Sequence, residues 1–275
     1  MILEYINWNV NPEIFPNTKI PIRWYGLFFV AAFYLGYLLM QKIFKKEGIK
    51  IEILDKLTMY MLVSTIVGAR LGHCLFYEPD YFLSHPLKIL FIWEGGLASH
   101  GAAIGIVFAL WLFSKKEKDL TFLWVIDRVV IIVALAGFWI RMGNLMNSEI
   151  IGKATTVSWA FVFERLEYYG VTGPHHPAQL YEALAYLVIF AYLIWYYYKK
   201  NGKPIEGYLF SLFLVLLFST RFLIEFLKED QVAFEEGMIL NMGQWLSIPF
   251  ILIGIGLFVW KKRGIVKSEK LKVSI

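Results

Sequence analysis

The sequence predicts an all-α integral membrane protein, a seven-transmembrane-helix bundle, on three observations. Of its 275 residues 58% are hydrophobic and only 18% charged, too little polar surface for a soluble globule. Apolar stretches close to the roughly 20 residues that cross about 30 Å of hydrocarbon recur along the whole chain. Lysines and arginines crowd into alternate connections between those stretches.

The chain opens Met-Ile-Leu-Glu-Tyr-Ile-Asn-Trp, with neither a basic stretch nor a small-residue cleavage site, so no removable leader is expected and the first span stays in the membrane. Residues 3–15 and 79–90 are rich in Trp, Tyr, Phe and Ile. Both are expected to rest in the membrane interface, the first as an N-terminal arm that anchors the bundle. The spans are expected over 24–42, 57–76, 91–113, 122–142, 180–198, 207–227 and 242–260. Helices rather than barrel strands are indicated, because 209–217 and 248–258 are apolar on every side, where a transmembrane strand alternates. With no repeat of fixed period and no low-complexity tract, residues 1–275 read as one membrane domain, not a solenoid or an inverted-repeat transporter. The single cysteine, Cys74, excludes a disulfide framework and reads as core packing.

Orientation follows from the basic residues, which resist translocation in short loops. Lys42, Lys45, Lys46, Lys50 and Lys56 separate the first two spans, Lys115, Lys116 and Lys118 the third and fourth, and Lys199, Lys200 and Lys203 the fifth and sixth. A basic cytoplasmic tail over 261–275 adds Lys261, Lys262, Arg263, Lys267, Lys270 and Lys272. The other side offers only Lys19, Arg23, Lys88, Lys153, Arg165 and Lys228. The N-terminus is thus expected outside and the C-terminus in the cytoplasm. The net charge of +5 reflects this topology and contact with anionic lipid, with no call for nucleic acid.

A charge near mid-membrane costs roughly 2.5–3.5 kcal/mol, so each one retained asks for an explanation. Arg70, Arg128, Arg141, Arg221, Asp127, Glu94, Glu182 and Glu225 fall in or at the ends of the spans, with His73 and His100 beside them. Asp127 and Arg128, near the cytoplasmic start of the fourth span, read as snorkelling or pairing. Arg221 and Glu225 stand at i and i+4 on one helix face, where an ion pair is the structural reading. Arg141 ends the fourth span at the same outer level, followed by Gly143, Asn144, Asn147, Glu149 and Gly152, more polar groups and glycines than packing needs. His100 lies just below that level between glycines and alanines, which lets helices approach closely or a substrate chain lie against it. The first span enters with Arg23, Tyr25 and Gly26. The connection 143–179, too long for a plain link, lies outside and is expected to have a function. Arginines, a histidine and carboxylates gathered at one outer level suit a substrate with a phosphate head group and an apolar tail, since guanidinium binds phosphate through paired hydrogen bonds.

The run Arg141-Met-Gly-Asn144-Leu-Met-Asn147-Ser-Glu149-Ile-Ile-Gly152 resembles the signature of the bacterial prolipoprotein diacylglyceryl transferases. Arg23-Trp-Tyr25-Gly26, Gly68-Ala-Arg70-Leu-Gly72, Gly95-Gly96 with His100-Gly101, His176-Pro-Ala-Gln179-Leu-Tyr181-Glu182 and Arg221-Phe-Leu-Ile-Glu225-Phe resemble further motifs of that family, in the same order. Leu97-Ala98-Ser99 and Ala102 depart from it, which bears on packing near His100. The resemblance implies seven crossings and a small extracytoplasmic head, here the 143–179 insertion, in a bacterial cytoplasmic (inner) membrane. It implies transfer of the diacylglyceryl group from phosphatidylglycerol to the thiol of the lipobox cysteine of a preprolipoprotein, forming a thioether and releasing glycerol phosphate. The partners are then phosphatidylglycerol, preprolipoprotein signal peptides and the lipid bilayer; no metal or organic cofactor is implied.

That chemistry suits the residues found independently. Negative charge builds on the departing phosphate, so Arg141 and Arg221 are expected to hold the head group and stabilise it, with Glu225 and Glu149 orienting the guanidinium groups. His100 is expected to take the thiol proton, since an imidazole near pKa 6.5 suits transfer near neutrality; the alternatives are phosphate binding by His100 and thiol activation by Arg141 alone. Tyr25, Gly26, Asn144, Glu149, Gly152, Arg70, His176 and Tyr181 are expected in substrate binding. For His176 a helix-start role stands beside substrate contact, and Arg70 taken alone reads as the partner of an acidic neighbour. His73, His85 and His175 read as structural. A carrier or flippase for an anionic lipid is the competing class, but it needs polar residues at both leaflets, whereas the cytoplasmic halves of most spans are apolar. A scaffold leaves the arginines unexplained, and an intramembrane protease lacks its Ser with His or its aspartate pair.

Overall fold

The computed structural model describes residues 5–16, 18, 22–229, 235 and 237–273, without the side chains of residues 94 and 263–273. The start of the expected arm at Leu3, Lys19, the Glu94 side chain and the tail charges from Arg263 on lie outside the described residues. The protein is mostly helical, and among the described residues six helices are long and apolar enough to cross a membrane: α1 (Trp24–Lys46), α2 (Ile51–Phe76), α5 (Phe122–Asn147), α6 (Ala178–Lys199), α7 (Tyr208–Glu225) and α8 (Met242–Val273), the last over Met242–Lys262. A short α3 (Pro79–Ser84) follows α2. The helix α4 (Ser99–Lys116) falls outside the six, its 18 residues diluted by Ser99 and His100 at one end and Lys115 and Lys116 at the other.

The third span was expected over 91–113, and the structure starts it later. Ile92–Glu94 form a 3-10 turn, Gly95 and Gly96 take φ of 90° and 71°, and only Ser99 begins the helix. Two successive left-handed residues cannot continue a right-handed helix, and glycine is the residue that adopts them at no steric cost. The other ends move by a few residues. α1 runs on to a left-handed Gly48, whose φ of 72° lets Ile49 N–H return to Phe44 O at 2.9 Å and close the helix.

The chain is not wholly α. Strands β1 (Ile6–Trp8), β2 (Phe161–Phe163) and β3 (Pro174–His175) form one sheet in the order β1-β2-β3, the first pair parallel and the second antiparallel. Within the expected N-terminal arm, Ile6–Trp8 thus form a sheet strand. Trp8 Nε1 donates to Leu145 O at 3.0 Å, and its ring lies 5.3 Å from that of Phe161. Phe161 and Phe163, two residues apart and so on one face of the strand, bury against Leu145 at the end of α5.

Two compact units make up the chain, one of residues 1–39 with 129–275 and one of 40–128. In the first, α6, α7 and α8 pack in series, and β2 and β3 lie between α5 and α6 in sequence. In the second, α2 packs on α4 through Gly68, Gly72, Gly101 and Gly105. A Cβ on Gly68 would stand 2.5 Å from Gly101 O, and one on Gly72 2.6 Å from Gly101 Cα. Of the two readings of the small residues around His100, this is close helix approach. Arg128, read as snorkelling or pairing, takes Glu47 from the turn after α1, Nε to Oε1 at 3.1 Å and Nη2 to Oε2 at 3.0 Å. Its guanidinium lies 4.3 Å over the Trp124 ring, whose Nε1 donates to the same carboxylate at 3.1 Å.

Candidate active site

In the first unit the last two turns of α5 present Arg141, Asn144 and Asn147 together, because positions three apart share a face. Arg141 Nη1 donates to Asn144 Oδ1 at 3.1 Å. Its Nε meets Glu182 Oε2, from α6, at 2.8 Å, an ion pair without an aligned hydrogen bond. Tyr186, one turn further along α6, donates to Glu182 Oε1 at 3.4 Å and lies within hydrogen-bonding reach of Arg141. Lys228 Nζ stands 3.0 Å from Glu182 Oε1 and 3.0 Å from Glu225 Oε2. A row of alternating charge thus runs Arg141, Glu182, Lys228, Glu225 across α5, α6 and the end of α7, with side chains 14%, 0%, 1% and 5% exposed. Each member is a buried charge that depends on its partners, so removing one leaves a neighbour with one opposite charge fewer.

Arg221 is half-buried on α7 and acts electrostatically on Tyr186. The expected Arg221–Glu225 pair is replaced: α7 ends at Glu225, the chain turns so that Lys228 N–H returns to Glu225 O at 3.2 Å, and Lys228 takes the carboxylate.

Asn144 links Arg141 to Glu149. Its Nδ2 donates to Glu149 Oε1 at 2.7 Å, with Asn147 Nδ2 adding a contact at 3.3 Å. To fold back this far the chain holds Ser148 at φ 55° and Ile150 at φ 60°. For a β-branched residue that conformation is strained by about 1–3 kcal/mol. Glu149 N–H to Asn144 O at 3.1 Å and Gln179 Nε2 to Glu149 O at 2.6 Å secure it. Tyr25, in the first turn of α1, packs against Gly143, where a Cβ would stand 2.7 Å from Tyr25 Cδ2, and it feels the charges of Glu149 and Arg141. Gly26 faces open space, with nothing within 4 Å of an added Cβ.

Gly152 is enclosed: its N–H donates to His176 O at 2.8 Å, and a Cβ there would stand 2.6 Å from both His176 Cβ and Leu227 O. Trp159 Nε1 donates to the Tyr181 hydroxyl at 2.8 Å, and that hydroxyl lies 3.1 Å from His176 Nδ1. Burial pushes the His176 imidazole below its ordinary value, which favours the neutral ring.

Arg70 and His100 belong to the second unit. Arg70 is buried, and an acidic partner is not what it meets. Its Nε donates to Ile89 O at 3.0 Å, Nη2 to Lys88 O at 2.6 Å, and Nη1 to Gly95 O at 2.5 Å and Gly96 O at 3.3 Å. The guanidinium shapes the irregular stretch before α4. His100, exposed in the first turn of α4, lies beside Phe76 and Tyr77 with ring centroids 5.8 and 5.6 Å away. Of the sequence-predicted residues, Tyr25, Arg141, Asn144, Glu149, Arg221 and Glu225 gather in the first unit around the ion row, with Gly152, His176 and Tyr181 in the segments that follow α5. Sequence reasoning missed Lys228 and the central place of Glu182. The signal for Lys228 was its spacing of three from Glu225.

Helices of membrane length around a buried row of guanidinium, carboxylate and ammonium groups define a membrane-embedded protein that handles an anionic group. The model of the prolipoprotein diacylglyceryl transferase family matches residues 12–260, and the chain belongs to that family. It is 50% identical to a phosphatidylglycerol–prolipoprotein diacylglyceryl transferase of Tolumonas auensis, over 92% of this chain and 96% of that one. Proteins of the same name from Chloroherpeton thalassium and Bacteroides fragilis are 45% and 44% identical, over 92% and 97% of this chain and 92% and 99% of theirs.

Proposed function

We propose that this protein is a transferase that moves the diacylglyceryl group of phosphatidylglycerol to the thiol of the lipobox cysteine of a preprolipoprotein. Family membership over residues 12–260 carries the reading, and the anchored guanidinium of Arg141 supports it at the level of chemistry. The bond broken joins the glyceryl carbon to a phosphate oxygen. The sulfur attacks that carbon, the thioether forms, glycerol phosphate leaves with the bonding electrons, and the thiol proton passes to His100. Arg141 and Arg221 hold the phosphate and meet its growing charge; Glu225 and Glu149 orient the guanidinium groups. Tyr25, Gly26, Asn144, Gly152, His176 and Tyr181 bind substrate, and Arg70 supports the stretch before α4.

The protein works in a bacterial inner membrane with seven crossings, α4 being the third span and completing the seven, its N-terminus outside, its C-terminus in the cytoplasm and its site toward the outer leaflet. The lysines of alternate connections support this orientation. The connection between α5 and α6, with its two strands, forms the extracytoplasmic head of the single membrane domain.

Purified Arg141→Ala and His100→Gln test these roles in a transfer assay. Arg141→Ala is expected to lose kcat/KM by about 10²-fold or more. His100→Gln is expected to lose kcat by about 10²–10⁴-fold, with the KM for phosphatidylglycerol near that of the parent. Parental kcat in His100→Gln would remove the base role.

A further inference from the structure

Lys228 has no part in the mechanism above. Three residues past the end of α7 it reads as an ordinary loop charge, yet its side chain is 1% exposed. Lys153 N–H to Leu227 O at 2.7 Å and the bridge between Gly152 and Lys228 pin its backbone. An ammonium buried to this extent costs several kcal/mol in lost hydration, and an apolar side chain of similar volume would fill the space without that cost. The position therefore calls for the charge, and the charge has two partners, Glu182 Oε1 and Glu225 Oε2, each at 3.0 Å.

We propose that Lys228 is a positioning residue that keeps the Arg141 guanidinium available for an anionic lipid head group by engaging one oxygen of Glu182 and one of Glu225. The inference rests on the transferase reading for the identity of that lipid. Glu182 and Asn144 already fix the plane of the guanidinium through Nε and Nη1. Glu225 also acts on Arg141 electrostatically. Freed from Lys228, both carboxylates are drawn to the same guanidinium and compete with phosphate for its N–H groups. The charged and titratable groups beside this row include Tyr25 on α1, Tyr186 on α6 and Arg221 on α7. From α8 comes uncharged Gly243, where a Cβ would stand 2.5 Å from Glu225 Cδ.

The test uses the full chain in lipid nanodiscs, comparing Lys228→Met, Lys228→Gln and Lys228→Arg with the parent. Because the competing carboxylates are displaced when phosphate binds, after which the guanidinium acts as in the parent, the loss belongs in KM. For Met and Gln the KM for phosphatidylglycerol is expected to rise about 10–100-fold, with kcat and the peptide KM within about 3-fold. Lys228→Arg, which keeps the charge, is expected within about 3-fold of the parent throughout. Retention of phosphatidylglycerol over phosphatidylcholine, read by native mass spectrometry without turnover, should fall in the same order. If the parent transfers no diacylglyceryl group, the function reading fails and retention still decides the inference. The proposal is overturned by an unchanged lipid KM in Met and Gln, by an Arg variant as impaired as Met, or by failure of both Met and Gln to fold.

Discussion

At the residue scale, polar groups set in apolar helices were legible, because each costs enough to be conspicuous; Arg141, Asn144 and Glu149 stood out in this way, and the structure joins them. His176 gives a measurable consequence. Burial lowers its pKa, and its Nδ1 lies 3.1 Å from the Tyr181 hydroxyl. The folded state therefore binds the proton less readily than the unfolded chain. Any stability this contributes is present above the ordinary value near 6.5 and is lost as pH falls through the lower folded value. Titration of carbon-13-labelled histidine, assigned with His176→Gln, should place its midpoint below 6.5; a midpoint above it would contradict the assignment. What the sequence did not reveal is the partner of each charge. Glu225 and Arg221 lie at helical spacing, but the chain turns at the end of α7, and Lys228 then displaces the expected arginine. Arg70 likewise meets carbonyls of a short 3-10 turn and of the glycines that follow it.

At the scale of elements, glycines decide where α4 begins and how it packs. Gly95 and Gly96 break the expected third span, and Gly101 and Gly105 let α4 lie against Gly68 and Gly72 of α2 with backbone touching backbone. Gly101→Leu should push these helices apart and destabilise the protein by about 1–3 kcal/mol or more. Gly256→Ala, where an added Cβ meets nothing within 4 Å, should leave the thermal midpoint in detergent unchanged or raise it slightly. An unaltered midpoint in Gly101→Leu would contradict the close approach. The long helices were legible from apolar length, their ends only to within several residues. The sheet was not, since strands of two and three residues are too short for period-two alternation to register.

At the scale of the whole molecule, six helices of membrane length and the family match over most of the chain describe one membrane enzyme, and composition alone had placed it in the membrane. The residues that carry chemistry were found as exceptions to that composition. Their grouping came from the fold, which draws α5, α6 and the end of α7 into the row from Arg141 to Glu225. The most direct measurement is transfer of radiolabelled diacylglyceryl from phosphatidylglycerol to a lipobox peptide by the purified protein, with a peptide carrying serine in place of the lipobox cysteine as control. Label is expected on the cysteine peptide and absent from the serine one. Folded protein that labels neither peptide, or labels both alike, would contradict thiol-directed diacylglyceryl transfer.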